Sequence, residues 1–128
     1  MRIQQQFLLV AAVGLTPIAL GYGLQPSTSL AYLFEIDASS INSRHIFRAV
    51  MGLYLALVLF WVLGAFIKKY QLPALYSLTV FMFGLAFGRT LSLIFDGWPH
   101  WLLVVYLLLE VGFGLVGIAM IKKTEKEG

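Results

Sequence analysis

Four stretches of the chain are nearly unbroken apolar runs, residues 7–24, 46–67, 74–95 and 101–121, and each is bounded by polar, charged or turn-forming residues. An α-helix needs about 20 apolar residues to cross a bilayer core of ~30 Å, and every run comes close to or exceeds that length. The pattern predicts an all-α fold: a polytopic transmembrane antiparallel four-helix bundle, built as a single membrane domain over residues 1–128. A cleaved signal peptide is the rival reading of the first run. That start holds one Arg, Arg2, and no small-x-small cleavage site follows, so a span is expected.

The breaks between runs predict the connections. Gly14, Pro17 and Gly21 recur along the first run and leave one face nearly bare, suited to close approach by another helix. The longest connection, 25–45, is expected on the outer side. It carries Leu30, Tyr32, Leu33, Phe34 and Ile36 beside Glu35 and Asp37, which favours a short interfacial piece over the bundle. Ser39, Ser40 and Asn42 are suitable N-caps for the second span. Lys68, Lys69 and Tyr70 are expected to end it, with Pro73 near the start of the third. Gly84 and Gly88 form a small-xxx-small pair that permits close backbone packing within or between chains, so a homo-oligomer is compatible with the pattern. Asp96-Gly97-Trp98-Pro99 predicts a turn, with Gly97 left-handed and Pro99 in the first turn of the last span.

Composition agrees with a membrane location. The chain is 60% hydrophobic and 12% charged, with a mean hydropathy of +0.88, too little polar surface to cover a water-soluble globule of this size. The absence of Cys excludes a disulfide framework, thiol redox chemistry and thiolate metal sites. The net charge of +3 sits mostly at run ends, where it marks topology and meets lipid head groups, and implies no nucleic-acid partner. Arg2, Lys68, Lys69, Lys122, Lys123 and Lys126 fall on one side. By the positive-inside rule both termini are expected in the cytoplasm of a bacterial inner membrane, with Trp98, Trp101 and Tyr22 in the outer aromatic belt.

Charges inside the runs are what carry chemistry. Arg89 lies in the third run, Glu110 in the fourth, and Arg48 near the start of the second. An isolated charge at membrane depth costs at least about 2.5 kcal/mol, so these groups should face the bundle and meet. Glu110 is expected to bridge Arg89 and Arg48, with Ser92, Asp96 and Tyr106 nearby. An ion-pair network that only fixes helix register is the plainer reading. Two Arg against one deep Glu leave a positive surplus, which suits a small anionic or lipid-like ligand because Arg matches carboxylate, phosphate and carbonyl oxygens. His45 and His100 lie at helix ends and read as interfacial residues rather than metal ligands, since nothing places further ligands beside them. No metal and no cofactor is expected, and Met51, Met82 and Met120 read as core filler.

Gly21 to Pro26, Phe47-Arg48-Ala49 with Gly52, Gly88-Arg89-Thr90-Leu91-Ser92, Asp96-Gly97-Trp98-Pro99 and the later Glu110 together resemble a family of small four-helix bacterial membrane proteins, grouped as a domain of unknown function. More distantly, the chain resembles the DoxX-like four-helix membrane proteins, some of which are linked to quinone or thiol redox systems. The first resemblance implies the fold, the location, and that Arg48, Arg89, Asp96 and Glu110 belong together; it implies no activity. The functional expectation is a non-enzymatic membrane protein with a polar cluster that fixes the bundle and binds such a ligand. A small proton-coupled transporter or exporter is the alternative, and an accessory subunit of a quinone-linked membrane enzyme comes third.

Overall fold

The computed structural model describes residues 1–127. They form five helices and no strand: α1 (Ile3–Gly23), α2 (Pro26–Phe34), α3 (Ile41–Phe66), α4 (Lys68–Phe95) and α5 (Trp101–Glu127). Four of these, α1, α3, α4 and α5, are each long and apolar enough to cross a membrane. At ~1.5 Å per residue the shortest still reaches roughly 30 Å. An even number of spans puts both termini at one end of the bundle, here called the terminal end. The α4–α5 turn and α2 lie at the other, the turn end.

The four long helices run α1 beside α3, α3 beside α4, and α4 beside α5, while α1 and α5 barely touch. Between membrane helices apolar burial supplies little drive, because lipid tails are as apolar as Leu. Close contact and hydrogen bonds must hold the bundle instead. Trp61, fully buried on α3, donates from Nε1 to Ser77 Oγ of α4 at 3.1 Å. On α5, Gly114 and Gly117 lie so close to Phe83 and Thr79 of α4 that an added Cβ would collide with either side chain.

Those two glycines take the close-packing part that the sequence pattern offered to Gly84 and Gly88. Both of the latter face open space, as does Gly52 on α3. For Gly52 the reason is that α3 must satisfy two neighbours at once. It meets them through Tyr54, Trp61, Gly64 and Ala65, which turns the Arg48–Gly52 face outward.

At the turn end, α2 occupies part of the long connection. Pro26 opens it at the first helical position, where a missing N–H costs nothing. Leu30 and Phe34 bury against the bundle. The Ser29 hydroxyl lies 2.6 Å from the Gly21 carbonyl and 2.8 Å from that of Gln25, so α2 covers a polar group that the end of α1 leaves open. Glu35 then closes α2 in the left-handed region at φ 60°. Ser40 caps α3, accepting from the Ser43 N–H at 3.1 Å.

At the terminal end the connection is shorter than the Lys-Lys-Tyr signal implied. One extended residue, Ile67, separates α3 from α4: its N–H closes α3 onto the Leu63 carbonyl at 2.8 Å, and its own carbonyl accepts from Tyr70. Lys68 and Lys69 therefore begin α4 rather than end the preceding helix, and Pro73 lies inside α4. At the opposite turn, Gly97 adopts φ +99°. Pro99 falls short of α5, which starts at Trp101, and His100 takes the capping part: its Nδ1 accepts from the Leu102 N–H at 3.2 Å.

Candidate functional site

Depth along the helices brings the site together. Arg89 lies seven residues before the end of α4 at Asp96, roughly 10 Å in, and Glu110 lies nine residues into α5, about 14 Å from Trp101. With Trp101 at the edge of a core of about 30 Å, Glu110 would lie near its middle. Its side chain is 8% exposed and that of Arg89 21%. Arg89 Nε donates to both carboxylate oxygens, at 2.8 Å to Oε1 and 3.0 Å to Oε2. A carboxylate and a guanidinium at this depth each need the other, because either alone would be a desolvated charge.

Tyrosines complete the cluster. Arg89 Nη2 is 3.4 Å from the Tyr22 hydroxyl on α1, and the guanidinium lies 5.7 Å from the centre of the Tyr106 ring on α5. Tyr22 is itself buried in an aromatic group, stacked on Phe34 and Phe47 and edge-on to Tyr54. Phe34 meets the Tyr106 ring at 77°. The short α2 thus clamps the tyrosines that surround Arg89.

Two cavities flank Arg89. The first, about 80 Å³, lies among all four long helices and is lined by Tyr54, Arg89, Tyr106 and Glu110 on a largely apolar wall that includes Leu15, Met82 and Phe113. A single water needs about 10 to 15 Å³ on this measure, so the space suits several waters or a small polar head group. The second, about 210 Å³, lies between α4 and α5 toward the turn and is lined by Arg89, Ser92, Pro99 and Leu103. Arg89 therefore forms the partition between the bundle centre and the turn end.

Of the residues singled out in the sequence, Arg89, Glu110 and Tyr106 come together. Arg48 does not join them. It is exposed, and its Nη1 lies 3.3 and 3.4 Å from the Gly23 and Leu24 carbonyls at the end of α1. The reason is the negative end of the α1 dipole, which attracts a cation in water more cheaply than a second Arg could be buried. The expected positive surplus is consequently absent from the buried cluster, which pairs one Arg with one Glu.

Ser92 and Asp96 bond to each other at 2.8 Å on the exposed end of α4, so Asp96 closes that helix rather than meeting Arg89, although Ser92 lines the second cavity. His45 is exposed, and His100 packs edge-on to Phe34. Among the described residues no group of three His, Asp or Glu side chains is placed to hold a metal ion.

Tyr22 and Tyr54 were missed as site residues; Tyr22 and Tyr54 are both buried. The signal was present: a phenol inside an apolar run, as at Tyr54, must find a polar partner or a wet cavity.

A family model for a domain of unknown function (DUF4345) matches residues 3–121. The chain belongs to that family. The DUF4345 match takes in all the residues of the cluster, from Tyr22 to Glu110, together with both cavities. No curated protein matches the chain, and no solved structure does.

Proposed function

We propose that this DUF4345 protein is a non-enzymatic, multi-pass protein of a bacterial inner membrane, with both termini cytoplasmic. In this reading Arg89 and Glu110 lock α4 against α5 and also form the polar floor of a binding site for a lipid-like ligand. Arg2, Lys68, Lys69, Lys122 and Lys123 at the terminal end support the orientation. The observation that carries the binding reading is the cavity beside Arg89. One guanidinium N–H is committed to Glu110, one points to Tyr22, and the rest remain for an oxygen acceptor on the ligand. A second reading, proton-coupled transport of a small molecule, draws on Arg89 standing between two cavities.

Gly14 lines the first cavity and has nothing near the position a Cβ would take, so Gly14→Leu is the variant to obstruct that space. The test is mass spectrometry of molecules that co-purify with the protein in mild detergent. Binding predicts a long-chain molecule retained by the wild type and by Gly52→Leu but lost from Gly14→Leu. Retention in all three, or in none, overturns it. A pH-dependent change of state that Glu110→Gln abolishes, with nothing retained, favours the transport reading.

A further inference from the structure

The seam between α1 and α5 is where the bundle is open. A groove of about 500 Å³ runs along it, lined by Phe7 and Val10 of α1 and by Leu109, Gly112, Phe113 and Val116 of α5. Gln6 supplies its one polar side chain among the described residues. Leu109 and Phe113 line both this groove and the cavity at Arg89, so the two are neighbours that share one wall. The Phe7 and Phe113 rings stack at 5.7 Å across the seam, where they stand between groove and cavity. From Leu108 to Met120, the span of its α5 wall, the groove covers about 18 Å, a little over half the thickness of a bilayer core.

Resting on the binding reading above, we infer that this seam seats the hydrocarbon chain of the ligand, admitted sideways from the bilayer. We infer further that the ligand is a long-chain molecule with a small uncharged oxygen head, a hydroxyl or carbonyl. Two facts select that head. The site lies near mid-membrane, a depth that an ionised head reaches only at high cost. The cluster is also already neutral, with one Arg satisfied by one Glu, so an anion would enter without a net opposite charge to meet it. The donors that remain, Arg89 Nη atoms and the Tyr54 and Tyr106 hydroxyls of the same cavity, suit a neutral acceptor oxygen. Across the shared wall of Leu109 and Phe113, the groove offers such a chain an almost wholly apolar seat.

The test uses the full-length protein in nanodiscs and two photoreactive probes of one chain length, a diazirine-bearing fatty alcohol and the matching alkyl sulfonate, with labelled peptides mapped by mass spectrometry. Gly112 lines the groove and has room for a Cβ, so Gly112→Phe is the variant to obstruct the groove, and Gly52→Phe on α3, where a Cβ is equally free, is the matched control. The alcohol should label the 7–10 and 109–116 segments at least tenfold more than the sulfonate does. Gly112→Phe should remove that labelling and Gly52→Phe leave it. Equal labelling by the two probes overturns the neutral head. If Gly14→Leu abolishes labelling and Gly112→Phe does not, the binding site stands and the seam is not its chain seat. If neither variant reduces labelling, both the site and the seam are wrong.

Discussion

Two polar networks tie α5 to the rest of the bundle, about 26 Å apart along that helix, and they use the same two residue types in opposite surroundings. At one, Glu110 meets Arg89 of α4 beneath a layer of tyrosines, with side-chain exposures of 8% and 21%. At the other, Glu127 meets Arg2, the residue that caps α1, with exposures of 39% and 46%, accepts from Gln4 Nε2 at 3.1 Å, and lies 3.6 Å from Lys123 Nζ. The difference is one of solvent. Water and salt stand in for a lost partner at the terminal end, whereas nothing does near mid-membrane. The terminal network also joins the start of the chain to α5, through Arg2 and Gln4 on Glu127. Above it α1 and α5 part, and the groove occupies the gap.

Breaking each pair from the acidic side separates the two. Glu110→Ala strands the Arg89 guanidinium and should cost about 3 to 5 kcal/mol, while Glu127→Ala should cost under about 1 kcal/mol. Thermal melts in one detergent at one pH read both. In the double variant Arg89→Leu with Glu110→Leu most of the loss should return, since neither charge is then buried alone. Equal costs for Glu110→Ala and Glu127→Ala would remove the distinction between the two networks.

Salt sharpens the comparison with a smaller effect. The screening length falls from ~30 Å at 0.01 M to ~3 Å at 1 M, so the exposed terminal pair weakens as salt rises while the buried pair hardly changes. The Tm difference between wild type and Glu127→Gln should shrink toward zero over that range. The difference between wild type and Glu110→Gln should hold.

Asp37, in the link from α2 to α3, extends the series to a carboxylate fully in water, and there the effect is smallest. It accepts from the Ser39 hydroxyl at 2.7 Å and the Ser39 N–H at 3.1 Å. These bonds, the hydroxyl first, hold its pKa below the ordinary 3.8. A lowered folded pKa means that the stabilisation is fully present above 3.8 and is lost as pH falls through the lowered value. The small Tm deficit of Asp37→Asn should therefore stay constant from pH 7 to pH 5 and vanish in stronger acid. A deficit that disappears already near pH 6 would assign the titration to another group.

Parts of the site could be read in the sequence because charge in an apolar run has few solutions. Arg89 and Glu110 had to meet, and Tyr106, one turn from Glu110, had to lie near them. Arg48 looked equivalent by the same reasoning, and it is not, because its position at the start of α3 lets it reach the carbonyl end of α1 in water. Glycine spacing was legible only in part. Gly84 and Gly88 carry the recognisable pattern, yet Gly114 and Gly117 make the contact, since spacing marks a bare face without saying which neighbour lies opposite.

The chain alone determined what is set by composition and length: a membrane location, four spans, helical structure throughout, and an intramembrane Arg–Glu pair, all consequences of the cost of bare polar groups in hydrocarbon. The tertiary structure decided what depends on which faces meet. It made the buried cluster neutral, gathered Tyr22 and Tyr54 around Arg89, and left the α1–α5 seam open. Apolar residues that pack against lipid and those that pack against a helix are chemically alike, so only the assembled bundle distinguishes a wall from a groove.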